Sequence, residues 1–199
     1  MDNLKALPTA VVKMLRPGIN NFNDMSHPFF ASALQQFRDY KALGEKTFAQ
    51  LSDEQLFVEP VPGCNSIAII VRHMSGNMKS RWTNFLEEDG EKSWRERDSE
   101  FTPPAVDRAG LLALWQEGWS VVFGALEPLG ETDLQRVIHI RTRPLTVLEA
   151  VHRQLTHYAS HVGQIILLGK MMKGEEWSSL SIPPGGSAAY NAQLGSKQA

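Results

Sequence analysis

The sequence predicts an all-α protein, a four-helix bundle with a short strand-like arm before its last helix. Three observations predict it. Four long stretches repeat apolar residues at i, i+3 and i+4. Only residues 137–143 switch to a period of two, and one long charged stretch separates the second helical stretch from the third.

Residues 1–25 mix Pro, Gly and Asn with short apolar pieces and read as an N-terminal arm. Ser26 is placed to cap a helix opening at His27-Pro28, where proline suits the first turn. Its apolar positions include Phe30, Leu34, Phe37, Leu43 and Phe48. A short piece follows from the capping box Ser52-Asp53-Glu54-Gln55 and breaks at Pro60-Val61-Pro62-Gly63. The second long helix should begin at Asn65 or Ser66 and run to about Glu88, with Ile67, Ile70, Val71, Met74, Met78, Trp82 and Phe85 on one face. Residues 87–100 hold ten charged residues in fourteen and read as a solvated crossover loop. Asp107 caps a third helix through Leu111, Trp115, Trp119, Val122 and Leu126, which stops around Pro128.

In the arm, Val137, His139, Arg141 and Arg143 alternate with Ile138, Ile140 and Thr142. A second capping box, Thr146-Val147-Leu148-Glu149, opens the last long helix, which runs to about Met172 before Gly174. The domain plan is an arm over 1–25, a bundle over 26–173 and an extended C-terminal tail over 174–199.

Composition narrows the function. The chain of 199 residues is 42% hydrophobic and 21% charged, enough for one domain with a sizeable core. Twenty basic residues against 22 acidic ones give a net charge of −2, without the basic surplus that nucleic-acid binding needs. No run approaches the roughly 20 apolar residues of a membrane span, and the first residues carry no export signal. One cysteine, Cys64, excludes an internal disulfide framework, so the expected location is a reducing cytoplasm. The partner expected is a small-molecule substrate, with neither nucleic acid nor membrane. Hydrolase elbows, phosphate loops and dinucleotide fingerprints are absent from the sequence.

The histidines carry the remaining signal. His157 and His161 lie four apart and so share one helical face, on the shoulder of its apolar stripe. His73 occupies the matching shoulder of the second helix, and Ser66 and Asn77 share that edge. Shoulders of neighbouring helices can meet at a groove mouth, and three imidazoles around one ion leave positions open to water or thiolate. Half-exposed, hydrogen-bonded histidines are the structural alternative. His139, on the strand face of the arginines, and His152, turned well away from the pair, are read as non-ligands. Glu149 and His152 form one Glu-x-x-His pair, but a di-iron bundle needs two, and Glu149 already serves as a cap. Cys64 at a helix start reads as a bystander. Arg141 and Arg143 offer either a fork for the carboxylates of an acidic ligand or a solvated strand edge.

The segment Asn65-Ser66-Ile67-Ala68-Ile69-Ile70-Val71-Arg72-His73-Met74-Ser75-Gly76-Asn77, with Arg81 beyond it, resembles the second helix of the DinB/YfiT-like superfamily. His157-Tyr158-Ala159-Ser160-His161-Val162-Gly163-Gln164-Ile165 resembles its metal-binding fourth helix. The resemblance spans roughly residues 26–173 and implies an up-down-down-up four-helix bundle, usually a homodimer. By position it implies a metal triad of His73, His157 and His161. Asn77, on the His73 edge, and Arg141 and Arg143, by their chemistry, are read as supporting or substrate-binding residues. The cofactors implied are one divalent ion (Zn, Ni, Fe or Mn) and a low-molecular-weight thiol. The implied activity is a thiol-dependent S-transferase or a hydrolase. The competing reading is a non-catalytic, metal-binding dimeric module with a small-molecule or regulatory partner. On the ligand-bearing helical edges Asp and Glu are sparse, so no side-chain base is apparent.

Overall fold

The computed structural model describes residues 27–196. Its helices are α1 (Pro28–Phe48), α2 (Asp53–Phe57), α3 (Ile67–Trp82), α4 (Arg108–Leu126), α5 (Val147–Lys173) and α6 (Ser187–Ser196). Strands β1 (Val137–Ile140) and β2 (Arg143–Thr146) pair antiparallel between α4 and α5. The long helices α1, α3, α4 and α5 make the up-down-down-up four-helix bundle. The heaviest packing is α3 on α4 and α1 on α5. Among the described residues no helix is long and apolar enough to cross a membrane.

Local chemistry sets the helix starts. Ser66 accepts from the Ile69 N–H at 3.2 Å, Asp107 from Gly110 at 2.9 Å, and Thr146 exchanges bonds with Glu149 in the expected capping box. Ser26 lies outside the described residues, as does the arm over 1–25. At α1 the cap is His27, whose Nδ1 accepts from Phe29 at 3.2 Å. The expected end of the second long helix moves from about Glu88: α3 stops at Trp82, because Thr83 is extended and Asn84 adopts φ +47°. Phe85 nevertheless stays buried.

The apolar stripes meet as anticipated. Trp119 is fully buried among Phe37, Trp115, Phe123 and Tyr158, with ring centroids 5.6–6.0 Å apart. Each such burial contributes about 1.5–3 kcal/mol. One polar network crosses this core. The Trp82 Nε1–H donates to the Tyr158 hydroxyl at 3.0 Å, and that hydroxyl and the Gln154 amide reach Asn77 Oδ1 at 3.3 and 3.0 Å. Burial pushes the Tyr158 phenol well above its ordinary value, so it serves as a neutral hydroxyl.

Residues 87–100 are not a uniformly solvated loop. They form part of the crossover from α3 to α4, and five of their seven acids, Glu88, Asp89, Glu91, Asp98 and Glu100, are engaged. Gly90 N–H bonds the His139 carbonyl at 2.8 Å, tying the crossover to β1. Asp89 accepts from the Arg141 and Thr142 N–H groups at 2.8 and 2.7 Å. Those two residues form the β1–β2 turn with φ +55° and +62°. A two-residue turn of this hand requires positive φ at both positions and normally uses Asn-Gly. Here a carboxylate holds both amides of an Arg-Thr pair instead. Glu91 joins the same cluster, accepting from Arg81 at 3.0 Å and Arg141 at 2.9 Å.

The tail is not wholly extended. Ser178 exchanges two backbone bonds with the Gln50 side chain, and Ser187–Ser196 is helical. The proline-free run Ser187-Ala188-Ala189-Tyr190-Asn191-Ala192 follows the Pro-Gly break and contains three of the best helix formers.

Two predictions follow from these contacts. Tyr158→Phe leaves the buried Trp82 N–H unpartnered and should cost about 1–3 kcal/mol in denaturant unfolding. Asp89 tests the hairpin clamp. Burial raises its carboxyl, but the backbone donors of Glu91, Thr142 and Arg141, helped by the Arg81 charge, outweigh that and lower it overall. A lowered folded-state value means stability present above the ordinary carboxylate value and lost as pH falls through the folded one. Asp89→Asn should therefore melt below the parent at neutral pH, with the difference shrinking on acidification below about pH 4.

Candidate metal centre

The caps at Ser66 and Thr146 fix where α3 and α5 begin, and so which side chains face each other along them. His73 of α3 is buried, while His157 and His161 of α5 are half-buried. One ligand-type nitrogen from each lies within 4.8 Å of the others. The Nε2 atoms of His157 and His161 are 3.1 Å apart, and the three rings stand edge to face, with centroids 4.6–5.6 Å apart. Nitrogens each about 2.1 Å from one ion lie about 3.0–3.4 Å apart between right-angled and tetrahedral geometry. The α5 pair already has that spacing.

The opposite ring nitrogens orient the set. His73 Nδ1 bonds Glu100 Oε2 at 2.9 Å, which turns its Nε2 toward the cluster. His161 Nδ1 bonds Gln164 Oε1 at 2.9 Å. The Nδ1 of His157 is buried and has no partner among the described residues. Burial, followed by the neighbouring His161 and His73 and the Arg153 and Arg81 charges, pushes His157 down to about 3. His161 is lowered mainly by burial, against the raising effect of its bond to Gln164. Both are therefore neutral at pH 7, with the lone pairs that a metal requires. The donor set fits one divalent ion of the imidazole-preferring kind.

Glu100 is the residue that sequence reasoning missed. It closes the 3-10 turn Arg97–Phe101 together with Phe101, whose ring lies 4.8 Å from that of His73. Its carboxylate receives Arg95 at 2.7 and 2.8 Å. Burial raises the Glu100 carboxyl, but the bonds from His73 and Arg95 and their charges lower it overall, so it is ionised. It sits in an aperiodic charged run that offers no pattern to read. The available signal was Gly76, three residues after His73 on the same helical face, which makes room for it.

The other candidates lie elsewhere. Asn77 belongs to the buried Tyr158 network rather than to the cluster. Arg141 stands in the hairpin turn with Glu91, and Arg143 is exposed on β2 opposite Ile140, so the two do not form the anticipated fork along one strand face. His139 is exposed on β1, and His152 is exposed with its ring 5.2 Å from that of Phe29. Glu149 is confined to its cap, and Cys64 is exposed.

Residues 24–186 match the family described as protein of unknown function (DUF1572), a DinB-like family. The chain belongs to this DUF1572 family. Among solved structures the DUF1572 chain is similar to YfiT from Bacillus subtilis, described as a probable metal-dependent hydrolase with an unusual four-helix bundle topology. The TM-score is 0.56 at 20% identity, covering 82% of this chain and 94% of that one. A likeness at that identity speaks for the fold. No curated protein matches the sequence.

Proposed function

We propose that this DUF1572 protein is a hydrolase of small molecules that depends on one divalent ion held by His73, His157 and His161. The observation that carries the reading is the convergence of three imidazoles from two helices within 4.8 Å. The family resemblance and the YfiT-like fold support it. An ion held by three nitrogens keeps coordination positions for water, and there it lowers the water's pKa or polarises a substrate carbonyl. His73, His157 and His161 hold and orient. Glu100 is occupied by Arg95 and His73, so it is not a free base. The family resemblance extends the reading to a homodimer, and the single cysteine extends it to a cytoplasmic location. Donor chemistry alone leaves Zn, Ni, Fe and Mn open.

One observation favours the second reading, a thiol-dependent S-transferase. Arg153 stands one helical turn before His157, is exposed, and lies close enough for its charge to depress that histidine. Its guanidinium has no ion-pair partner among the described residues. We read it as the group that meets a carboxylate of a thiol cofactor, in place of the Arg141–Arg143 fork.

Elemental analysis tests the site itself. His157→Ala should lower bound metal from about one ion per chain to roughly a tenth or less, while circular dichroism keeps its helical signal. Retained metal in that variant would remove the proposed ligand set. A thermal-shift screen with bacillithiol, mycothiol, glutathione and coenzyme A separates the two activities. A thiol at about 100 times its dissociation constant should stabilise the protein by about 2.7 kcal/mol, and no response to any of them leaves the hydrolase reading standing.

A further inference from the structure

We infer that Glu100, clamped by Arg95 and seated in the gap over Gly76, is the positioning residue that fixes the tautomer and orientation of His73. The inference rests on the proposed metal site. The chain places Glu100 here at some cost, since it is only 6% exposed and the Arg95 side chain only 2%. A buried carboxylate is tolerated when a cation and hydrogen-bond donors satisfy it. Arg95 supplies the charge through both carboxylate oxygens, and His73 Nδ1 fills an acceptor site on Oε2. A carboxylate clamped by Arg95 accepts here, so Nδ1 is the ring nitrogen that donates, and Nε2 is left as the atom that can offer a lone pair toward His157 and His161.

The backbone is shaped around this contact. A Cβ at residue 76 would collide with Glu100 Oε1 and lie 2.7 Å from its carboxyl carbon. Any other residue at this helical position would push the carboxylate off His73. Phe101 then covers the His73 ring from the same turn, at 31° to its plane. The 3-10 turn thus holds His73 through its edge and its face at once. Metal-ligating histidines commonly donate their second N–H to a carboxylate, and losing that partner weakens metal binding about 10–100-fold.

The test uses three variants and two readouts. Gly76→Ala retains both charges of the Arg95–Glu100 pair and introduces a better helix former, so it should fold. Glu100→Ala removes the acceptor, and Glu100→Gln keeps a neutral one. The first readout is imidazole 15N chemical shifts of the metal-free protein at about pH 8, where an ordinary histidine is neutral. The wild type should show His73 protonated at Nδ1, with Gly76→Ala and Glu100→Ala shifted toward the Nε2-protonated form and Glu100→Gln between. An Nε2-protonated His73 in the wild type overturns the inference. The second readout is Zn2+ affinity by competition with a chromophoric chelator, backed by the Co2+ absorption spectrum. Gly76→Ala and Glu100→Ala should each bind about 10–100-fold more weakly, with Glu100→Gln retaining more. Unchanged affinity in folded Gly76→Ala also overturns it. A wild type that binds no metal yet shows the Nδ1-protonated tautomer would overturn the metal-site proposal while upholding the role of Glu100.

Discussion

Two neighbouring helices that run the same way cannot be joined by a tight turn, and α3 and α4 are such a pair. The chain must travel back along the bundle between Trp82 and Arg108 before α4 can start. An unsupported crossover of that length would be mobile, carrying seven acids in residues 87–100. Arginines hold it at successive points. Arg81 and Arg141 share Glu91, Arg95 takes Glu100, and Arg72 reaches the Thr102 carbonyl at 3.1 Å. The crossover thereby becomes a wall. One part of it caps the β1–β2 turn, and another presents a carboxylate to a histidine of α3. The hairpin and the candidate centre are both consequences of how a topological necessity is fastened.

This explains what the sequence made legible. The apolar stripes were readable because helix periodicity is local, and Ile67, Ile70, Val71, Met74 and Met78 are all buried in the one core cluster. The histidine set was readable for the same reason: a 100° rotation per residue places His157 and His161 on one shoulder, and His73 on another, before any tertiary contact is known. Alternation at residues 137–140 was readable as strand, with Ile138 and Ile140 inward. What escaped is non-local. The turn at Arg141-Thr142 lacks glycine, and the group that makes it possible is Asp89, some fifty residues earlier. Glu100 looked like any other acid in a charged run. Its pairing with His73 depends on the path of the crossover, which no period encodes. The end of α3 at Trp82 escaped because apolar spacing continues through Phe85 after the helix has stopped.

Electrostatics connects the wall to the chemistry. The carboxylate nearest the histidines is already neutralised by Arg95, and Arg153 and Arg81 add positive charge within reach of His157. No acid joins the three-histidine group among the described residues. Neutral imidazole ligands do not offset the charge of an ion, whereas carboxylate ligands do. A divalent ion held here would therefore keep nearly its full charge, in surroundings that lean positive. Such a centre would favour an anion in its open position more than a carboxylate-ligated centre would. That no free base stands beside the cluster among the described residues would then have a physical counterpart. His73, His157 and His161 would hold such an ion, which would supply the pKa lowering itself, and the half-buried face formed by His157 and His161 would leave its open side next to solvent.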